Sequence, residues 1–113
     1  MDATDWIREF SASITVCDAA GRILAMNEAA ARVFAADGGA DLVGRNVLDC
    51  HPEPARTKLV ELLRTGRVNA YTIEKQGRKK LIYQAPWRVD GEVRGLVELS
   101  LELPAELPHF VRG

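Results

Sequence analysis

Residues 68–101 read VNAYTIEKQGRKKLIYQAPWRVDGEVRGLVELSL, and this stretch decides the fold class. Apolar and polar side chains alternate along three runs that are separated by the dipeptides Gln76-Gly77 and Asp90-Gly91. Alternation with a period of two is typical of half-buried strands, and such glycine-containing dipeptides favour tight hairpin turns. The stretch therefore predicts three antiparallel strands, over 68–75, 79–89 and 92–101.

Two shorter β-rich runs precede this region, Ser13–Cys17 and Arg22–Met26, with Gly21 in the turn between them. Asn27 follows them as an expected N-cap of a short helix that stops near Asp37. Two strands alone cannot bury an apolar face, so we expect them to join the later three strands. The sequence thus predicts one five-stranded antiparallel sheet.

Helical spacing appears twice more. Pro54 starts a helix in which Leu59 and Leu62 share a face, and residues 42–52 before it are irregular or briefly helical. Near the N-terminus, Trp6, Ile7 and Phe10 form a short apolar stripe. We predict an α+β fold with helices packed over one face of the sheet, divided into an N-terminal amphipathic helix (1–10), a domain (11–103) and a tail (104–113).

Composition excludes several classes of function. The 113 residues contain 15 Lys and Arg against 16 Asp and Glu, so no strong positive field attracts nucleic acid. No apolar run approaches the roughly 20 residues of a membrane-spanning helix. Cys17 and Cys50 lack the paired spacings of a zinc site or a disulfide framework, so we expect reduced thiols and a cytoplasmic location.

The predicted order of elements resembles the PAS family, and the resemblance covers about residues 11 to 103. Four local patterns carry it: Ile14–Asp18 with Gly21-Arg22-Ile23, Met26–Ala30, Gly44-Arg45-Asn46, and Gly91–Ser100. More narrowly, three segments look like those of short bacterial proteins that consist of a PAS domain alone: Leu48–Arg56, Lys79–Gln84, and Val97–Leu101 with Pro108–Phe110.

The resemblance implies a sensory or signalling module that binds a small ligand, a signalling protein, or both, and that is not an enzyme. The residues agree with the last expectation. Cys50 and His51 are sequence neighbours, which seldom point at one another as a nucleophile and base must. No glycine-rich phosphate loop and no cluster with metal-ligand spacing appears in the sequence. A ligand-free interaction domain is the alternative without a pocket.

The resemblance suggests two cofactors, flavin and haem. Photoactive flavin members have a reactive cysteine in a Gly-x-Asn-Cys motif, and Val47 stands at that place in Gly44-Arg45-Asn46-Val47, which excludes the flavin adduct. Haem is the other, because His51 offers an imidazole that is able to ligate iron. The competing interpretation is that His51 ends a short helix and bonds to a backbone carbonyl or to water.

Strand parity leaves two arrangements open. The resemblance implies that one set of strand residues faces a pocket, completed by Val47, Phe34 and His51: Thr72, Ile82, Gln84, Leu96, Glu98 and Ser100. The opposite parity would put the more apolar set into an ordinary core and leave no polar pocket.

Under the first parity an apolar outer face needs cover. The stripe on the N-terminal helix is the obvious candidate, and together with the outer strands it predicts a homodimer interface formed by Trp6, Ile7, Phe10, Tyr83, Trp87, Val97, Leu99 and Leu101.

Overall fold

The computed structural model describes residues 4–113, apart from the side chain of Cys50. Its main elements, in chain order, are α1 (Asp5–Arg8), β1 (Ser13–Asp18), β2 (Ile23–Met26), α2 (Glu28–Val33), α3 (Ala55–Thr65), β3 (Asn69–Lys75), β4 (Arg78–Val89) and β5 (Glu92–Glu102). Three short 3₁₀ helices link α2 to α3, over Ala35–Asp37, Gly39–Leu42 and Val47–Cys50. No helix among residues 4–113 is long and apolar enough to cross a membrane.

The five strands form one antiparallel sheet in the order β2-β1-β5-β4-β3. The first hairpin joins the later meander through pairing of β1 with β5, so the predicted α+β architecture is confirmed. This pairing makes β5 the central strand and places β1 and β4 on either side of it. Side chains from both halves of the chain therefore meet on the middle of the sheet.

The turn between β3 and β4 fixes the register of that hairpin. Gln76 and Gly77 both have positive φ angles, 55° and 75°, which is the conformation of a two-residue type I′ turn. Lys75 consequently pairs with Arg78, and every pair along the hairpin follows from that one, including Tyr71 with Ile82. The length of this turn decides which β3 side chains share a face with β4.

The hydrophobic core lies between α3 and one face of the sheet, which we call the inner face. Cys17 of β1 and Leu96 of β5 contact Leu59 and Leu62 of α3, and Leu62 is only 2% exposed. Partly buried residues of the 3₁₀ segment and of α3 pack around this cluster, namely Val47, Leu48 and Leu63. The core therefore covers the inner face mainly where β1 and β5 run beneath α3.

Asn27 joins the N-terminal segment to the domain. Its Oδ1 accepts hydrogen bonds from the backbone N–H groups of Ile14 and Ala30, both at 3.0 Å, so it caps α2 as predicted. Its Nδ2 donates to the carbonyl oxygens of Ile7 at 3.1 Å and Ala12 at 2.8 Å. One buried side chain thus holds α1, β1 and α2 together. Thr4 holds the N-cap position of α1, and Asp5 is the first residue of the helix.

Candidate functional site

A line of polar residues crosses the inner face beside the core. Thr15 pairs with Glu98, Glu98 with Gln84, and Gln84 with Asn69, so four neighbouring strands each contribute one side chain. Paired residues of antiparallel strands point to the same face. We call Thr15, Glu98, Gln84 and Asn69 the polar row.

Hydrogen bonds link three members of the polar row. Asn69 Nδ2 donates to Gln84 Oε1 at 2.8 Å, and Gln84 Nε2 donates to Glu98 Oε2 at 2.7 Å. Gln84 is 6% exposed, which makes it one of the few buried polar residues of the described chain. Because both ends of its amide are engaged, Gln84 is held in one orientation and fixes the position of the Glu98 carboxylate.

The fourth member of the polar row is Thr15, and its hydroxyl differs from the other three side chains. Thr15 Oγ1 is buried and has no hydrogen-bond partner among residues 4–113 as the structure describes them. A hydroxyl that loses water without gaining a partner costs free energy, on the order of 1 to 3 kcal/mol by mutational measures. Its neighbour Glu98 lies outside both ion pairs found in the described chain, which join Arg78 to Glu102 and Arg94 to Glu92. The row therefore contains an unpartnered hydroxyl beside a carboxylate with no paired cation.

The β3 side of the row is open to solvent. Tyr71 belongs to the inner face because it pairs with buried Ile82, yet it is 43% exposed. Partial burial, and after it the negative charge of Glu98, raises the pKa of the Tyr71 phenol above its ordinary value. Tyr71 thus stands close enough to Glu98 to sense its charge while remaining accessible from outside.

The structure places most of the predicted pocket residues on the inner face. Ile82 and Leu96 are buried there, with Ser100 beside Ile82 on the neighbouring strand. Thr72 is a correction, because it pairs with Leu81 and so points to the outer face. Tyr71 takes its place on the inner face. The two-residue turn pairs Lys75 with Arg78, and this register sets Tyr71 rather than Thr72 opposite Ile82.

The remaining predicted pocket residues lie on helical segments or their caps rather than on the sheet. Val47 packs against the core cluster, and Phe34 ends α2 as its half-buried C-cap. His51 follows the last 3₁₀ helix, with its Nδ1 2.7 Å from the carbonyl oxygen of Val47. Since a carbonyl only accepts, Nδ1 is the protonated nitrogen, and the neutral imidazole keeps its lone pair on Nε2. The side chain of Cys50, for which we expect a reduced thiol, lies outside the described residues.

Neither of the two best-defined cavities in the described chain lies at the row. One, of about 210 Å³, lies between the β1–β2 turn and α3 and is lined by Ala19, Ala20, Leu48, Val60, Leu63 and Arg64. The other, of about 440 Å³, lies beside the β3–β4 turn and the end of β5. No group of three His, Cys, Asp or Glu side chains among the described residues could hold a metal ion. The row thus lies outside both of these cavities, with Gln84 and Thr15 Oγ1 buried and Tyr71 exposed at its β3 end.

The predicted interface residues divide into exposed and half-buried groups. Trp6 and Phe10 are exposed and contact each other edge to face, with ring centroids 5.8 Å apart, and Tyr83 is exposed on β4. Trp87 is half-buried and donates from Nε1 to the carbonyl oxygen of Cys17 at 2.9 Å, crossing β5 where Gly95 has no side chain. The others are half-buried, namely Ile7, Val97, Leu99 and Leu101.

Sequence reasoning missed two residues of the site, Thr15 and Asn69, and it named Tyr71 both in the apolar outer set and as an optional pocket residue. Thr15 and Asn69 look unremarkable in isolation, because each is a single polar residue in a strand. The signal that finds them is the register: a two-residue turn at Gln76-Gly77 places Asn69 opposite Gln84. Pairing between β1 and β5 joins segments about 80 residues apart and leaves no local trace in the sequence.

The family model and the similar solved structures agree on one family. A family model described as the PAS fold matches residues 8–106. Among solved structures, a C-terminal domain from Streptococcus mutans aligns with a TM-score of 0.69 and 25% identity, over 85% of this chain and 78% of that one. No curated protein matches the chain.

Two further solved structures share the fold at lower identity. The PAS domain of BvgS from Bordetella pertussis aligns with a TM-score of 0.61 and 20% identity, over 87% of this chain and 81% of that one. The Aer2 receptor of Vibrio cholerae, described as a dual PAS-heme oxygen sensor, aligns with a TM-score of 0.60 and 20% identity, over 82% of this chain and 95% of that one. PAS domains are sensory and signalling modules. With the sheet order, the helices on one face and the match over 8–106 together, the chain belongs to the PAS family.

Proposed function

We propose that this protein is a sensory module that binds a small polar ligand at the polar row and transmits the signal through a homodimer. The observation that carries the proposal is the buried Gln84, bonded on one side to Asn69 and on the other to Glu98. A buried hydroxyl without a hydrogen-bond partner among the described residues is costly for stability alone. Binding of a ligand that satisfies this hydroxyl explains why it stands there.

The homodimer rests on the exposed aromatic groups. Trp6 is 57% exposed, and α1 has only four residues, too few for a helix that is stable without packing. Aromatic side chains dominate interfaces when they are desolvated, and a twofold axis presents the same patch twice. We propose that Trp6, Phe10 and Tyr83 meet their counterparts in a second copy, and that a signalling protein reads the state of this dimer in the cytoplasm.

Haem binding through His51 is the second candidate. The hydrogen bond from Nδ1 to Val47 orients the ring and leaves Nε2 as the nitrogen able to ligate iron, an arrangement common among metal-ligating histidines. Against it, neither of the two cavities described above includes His51 in its lining. A Soret absorption band in protein expressed with haem precursor, lost in His51→Ala, would favour this candidate over the first.

Native mass spectrometry of freshly purified protein tests the proposal, because it reports bound ligand and subunit count together. We expect the mass of a dimer with a small-molecule increment that Gln84→Leu removes. Lys58→Leu, at an exposed position of α3, is the matched control and keeps the increment. A bare monomer at micromolar concentration would overturn both parts of the proposal, and a bare dimer would favour the ligand-free interaction domain.

A further inference from the structure

The charge of the polar row is unbalanced. Glu98 carries a carboxylate on the partly buried inner face, and the groups that face it across the neighbouring strands are the neutral Gln84 and Thr15. The two ion pairs of the described chain use other glutamates, at the far end of β5 and at the β4–β5 turn. A carboxylate removed from bulk water is stabilised by a cation as its partner.

The acceptor geometry is set in advance. Gln84 Nε2 bonds to Oε2 of Glu98, and Gln84 is itself held through its Oε1 by Asn69. The other carboxylate oxygen and the hydroxyl of Thr15 remain for an incoming donor. A primary ammonium carries three N–H donors on one atom, so a single group can bond to a carboxylate and a hydroxyl together.

Tyr71 presents an aromatic ring at the open side of the polar row, where it is able to flank a bound cation. Its ring is 43% exposed at the open side of the row, on the same face as Glu98. The pKa of its phenol is raised by partial burial and by Glu98, so the phenol is held in its neutral form and does not add a second anion. The negative face of an aromatic ring attracts a cation, most strongly where water is partly excluded.

We infer that the ligand of the polar row carries a protonated primary amine, received by Glu98 and Thr15 and flanked by Tyr71. This inference rests on the proposed function and adds the chemical class of the ligand to it. Gln84 acts as a positioning residue that holds the carboxylate. A ligand whose recognised group is a carboxylate or phosphate is repelled, because it would place a second negative charge beside Glu98.

Three probes with the same four-carbon chain test the assignment: n-butylamine, n-butanol and butyrate. Titration is followed by the side-chain amide resonances of Gln84 in ¹⁵N-labelled protein, since that amide touches Glu98 directly. We expect saturable shifts with the amine, at an affinity about tenfold or more above those of the alcohol and the acid. Glu98→Gln should weaken amine binding about tenfold, whereas Glu102→Gln, an exposed glutamate on the same strand, should leave it unchanged.

Four outcomes separate this inference from the proposed function. Equal or tighter binding of butanol or butyrate at Gln84 overturns the amine assignment, but the proposal that the polar row binds a ligand still stands. Unchanged amine binding by a folded Glu98→Gln variant does the same. Failure of the amine to shift Gln84, in protein whose native mass shows a bound ligand removed by Gln84→Leu, also overturns the assignment alone. Absence of both amine binding and a native ligand overturns both.

Discussion

Gln84 Nε2 lies 2.7 Å from Glu98 Oε2, across the pairing of β4 with β5. This contact joins a buried neutral amide to the carboxylate at the centre of the sheet, and it is anchored from the other side by Asn69. The order of donors is fixed along the row: Asn69 donates to Gln84, which donates to Glu98. A carboxylate at the end of such a chain is oriented before any ligand arrives, which lowers the cost of ordering on binding.

Thr15→Val separates a binding role from a structural one. The Thr15 hydroxyl has no hydrogen-bond partner in the part of the chain that the structure describes, so replacing it with a methyl group should leave the free energy of unfolding unchanged or raise it by up to about 1 kcal/mol. The same change should lower ligand occupancy, because the ligand loses one acceptor. Urea unfolding and native mass spectrometry measure the two effects. A loss of stability with unchanged occupancy would show that the hydroxyl serves the fold.

Leu62→Ala tests the core beneath α3. Leu62 is 2% exposed and contacts the cluster that includes Cys17 and Leu96, so the truncation should cost about 2 to 5 kcal/mol of unfolding free energy. Val60→Ala, on the exposed side of the same helix, should change stability by less than about 1 kcal/mol. Thermal and urea denaturation provide the comparison. Equal effects of the two substitutions would mean that α3 presents a different face to the sheet.

Asn27→Asp tests the attachment of the N-terminal segment. The variant keeps an oxygen to cap α2 and to accept from Ile14, but it loses the donor to the carbonyl oxygens of Ile7 and Ala12. We expect a loss of about 1 to 3 kcal/mol. Hydrogen exchange of residues 7–12 should accelerate more than that of β4. Unchanged exchange in this segment would show that other contacts hold α1 in place.

We predict that ionisation of the Cys17 thiol lowers the free energy of unfolding at alkaline pH. Burial, opposed only in part by a backbone hydrogen bond from Leu96, raises the pKa of its thiol above the ordinary 9.0. The folded state then favours the protonated thiol, so its contribution to stability is complete below about pH 9 and declines as the pH rises through the pKa of the folded state.

Comparison with Cys17→Ala isolates this effect. The free energy of unfolding should fall above about pH 9 by more in the wild type than in the variant, and thiol reagents should modify Cys17 slowly at neutral pH. Parallel declines in the two proteins would assign the alkaline transition to other groups.

Strand and helix boundaries were within reach of the sequence because their signals are local. The I′ dipeptides Gln76-Gly77 and Asp90-Gly91, the cap at Asn27 and the stop at Gly66 each act over a few residues. The face of β3 was not, because the parity that the resemblance implies for this strand is the reverse of the observed pairing of β3 with β4. Thr72 was therefore put on the inner face in place of Tyr71.

Only Gln84 and Glu98 of the polar row could be predicted from the sequence, and the reason differs from that for β3. Gln84 and Glu98 are polar residues of the predicted β4–β5 hairpin, so their alternation with apolar neighbours is visible in the sequence. Thr15 joins the polar row only through the pairing of β1 with β5. That pairing is a tertiary choice, and nothing near Thr15 in the sequence encodes it. The missing cation partner of Glu98 is likewise visible only once the strands are assembled.

The side-chain amide resonances of Gln84 and Asn69 test the ligand site most directly. Spectra of freshly purified protein are compared with spectra of the same protein after unfolding, removal of small molecules and refolding. We expect shifts at Gln84 and Asn69, which form the row, and none at Gln76 in the exposed turn. Superimposable resonances at all three residues, from refolded protein with native stability, would contradict the claim that the polar row binds a ligand.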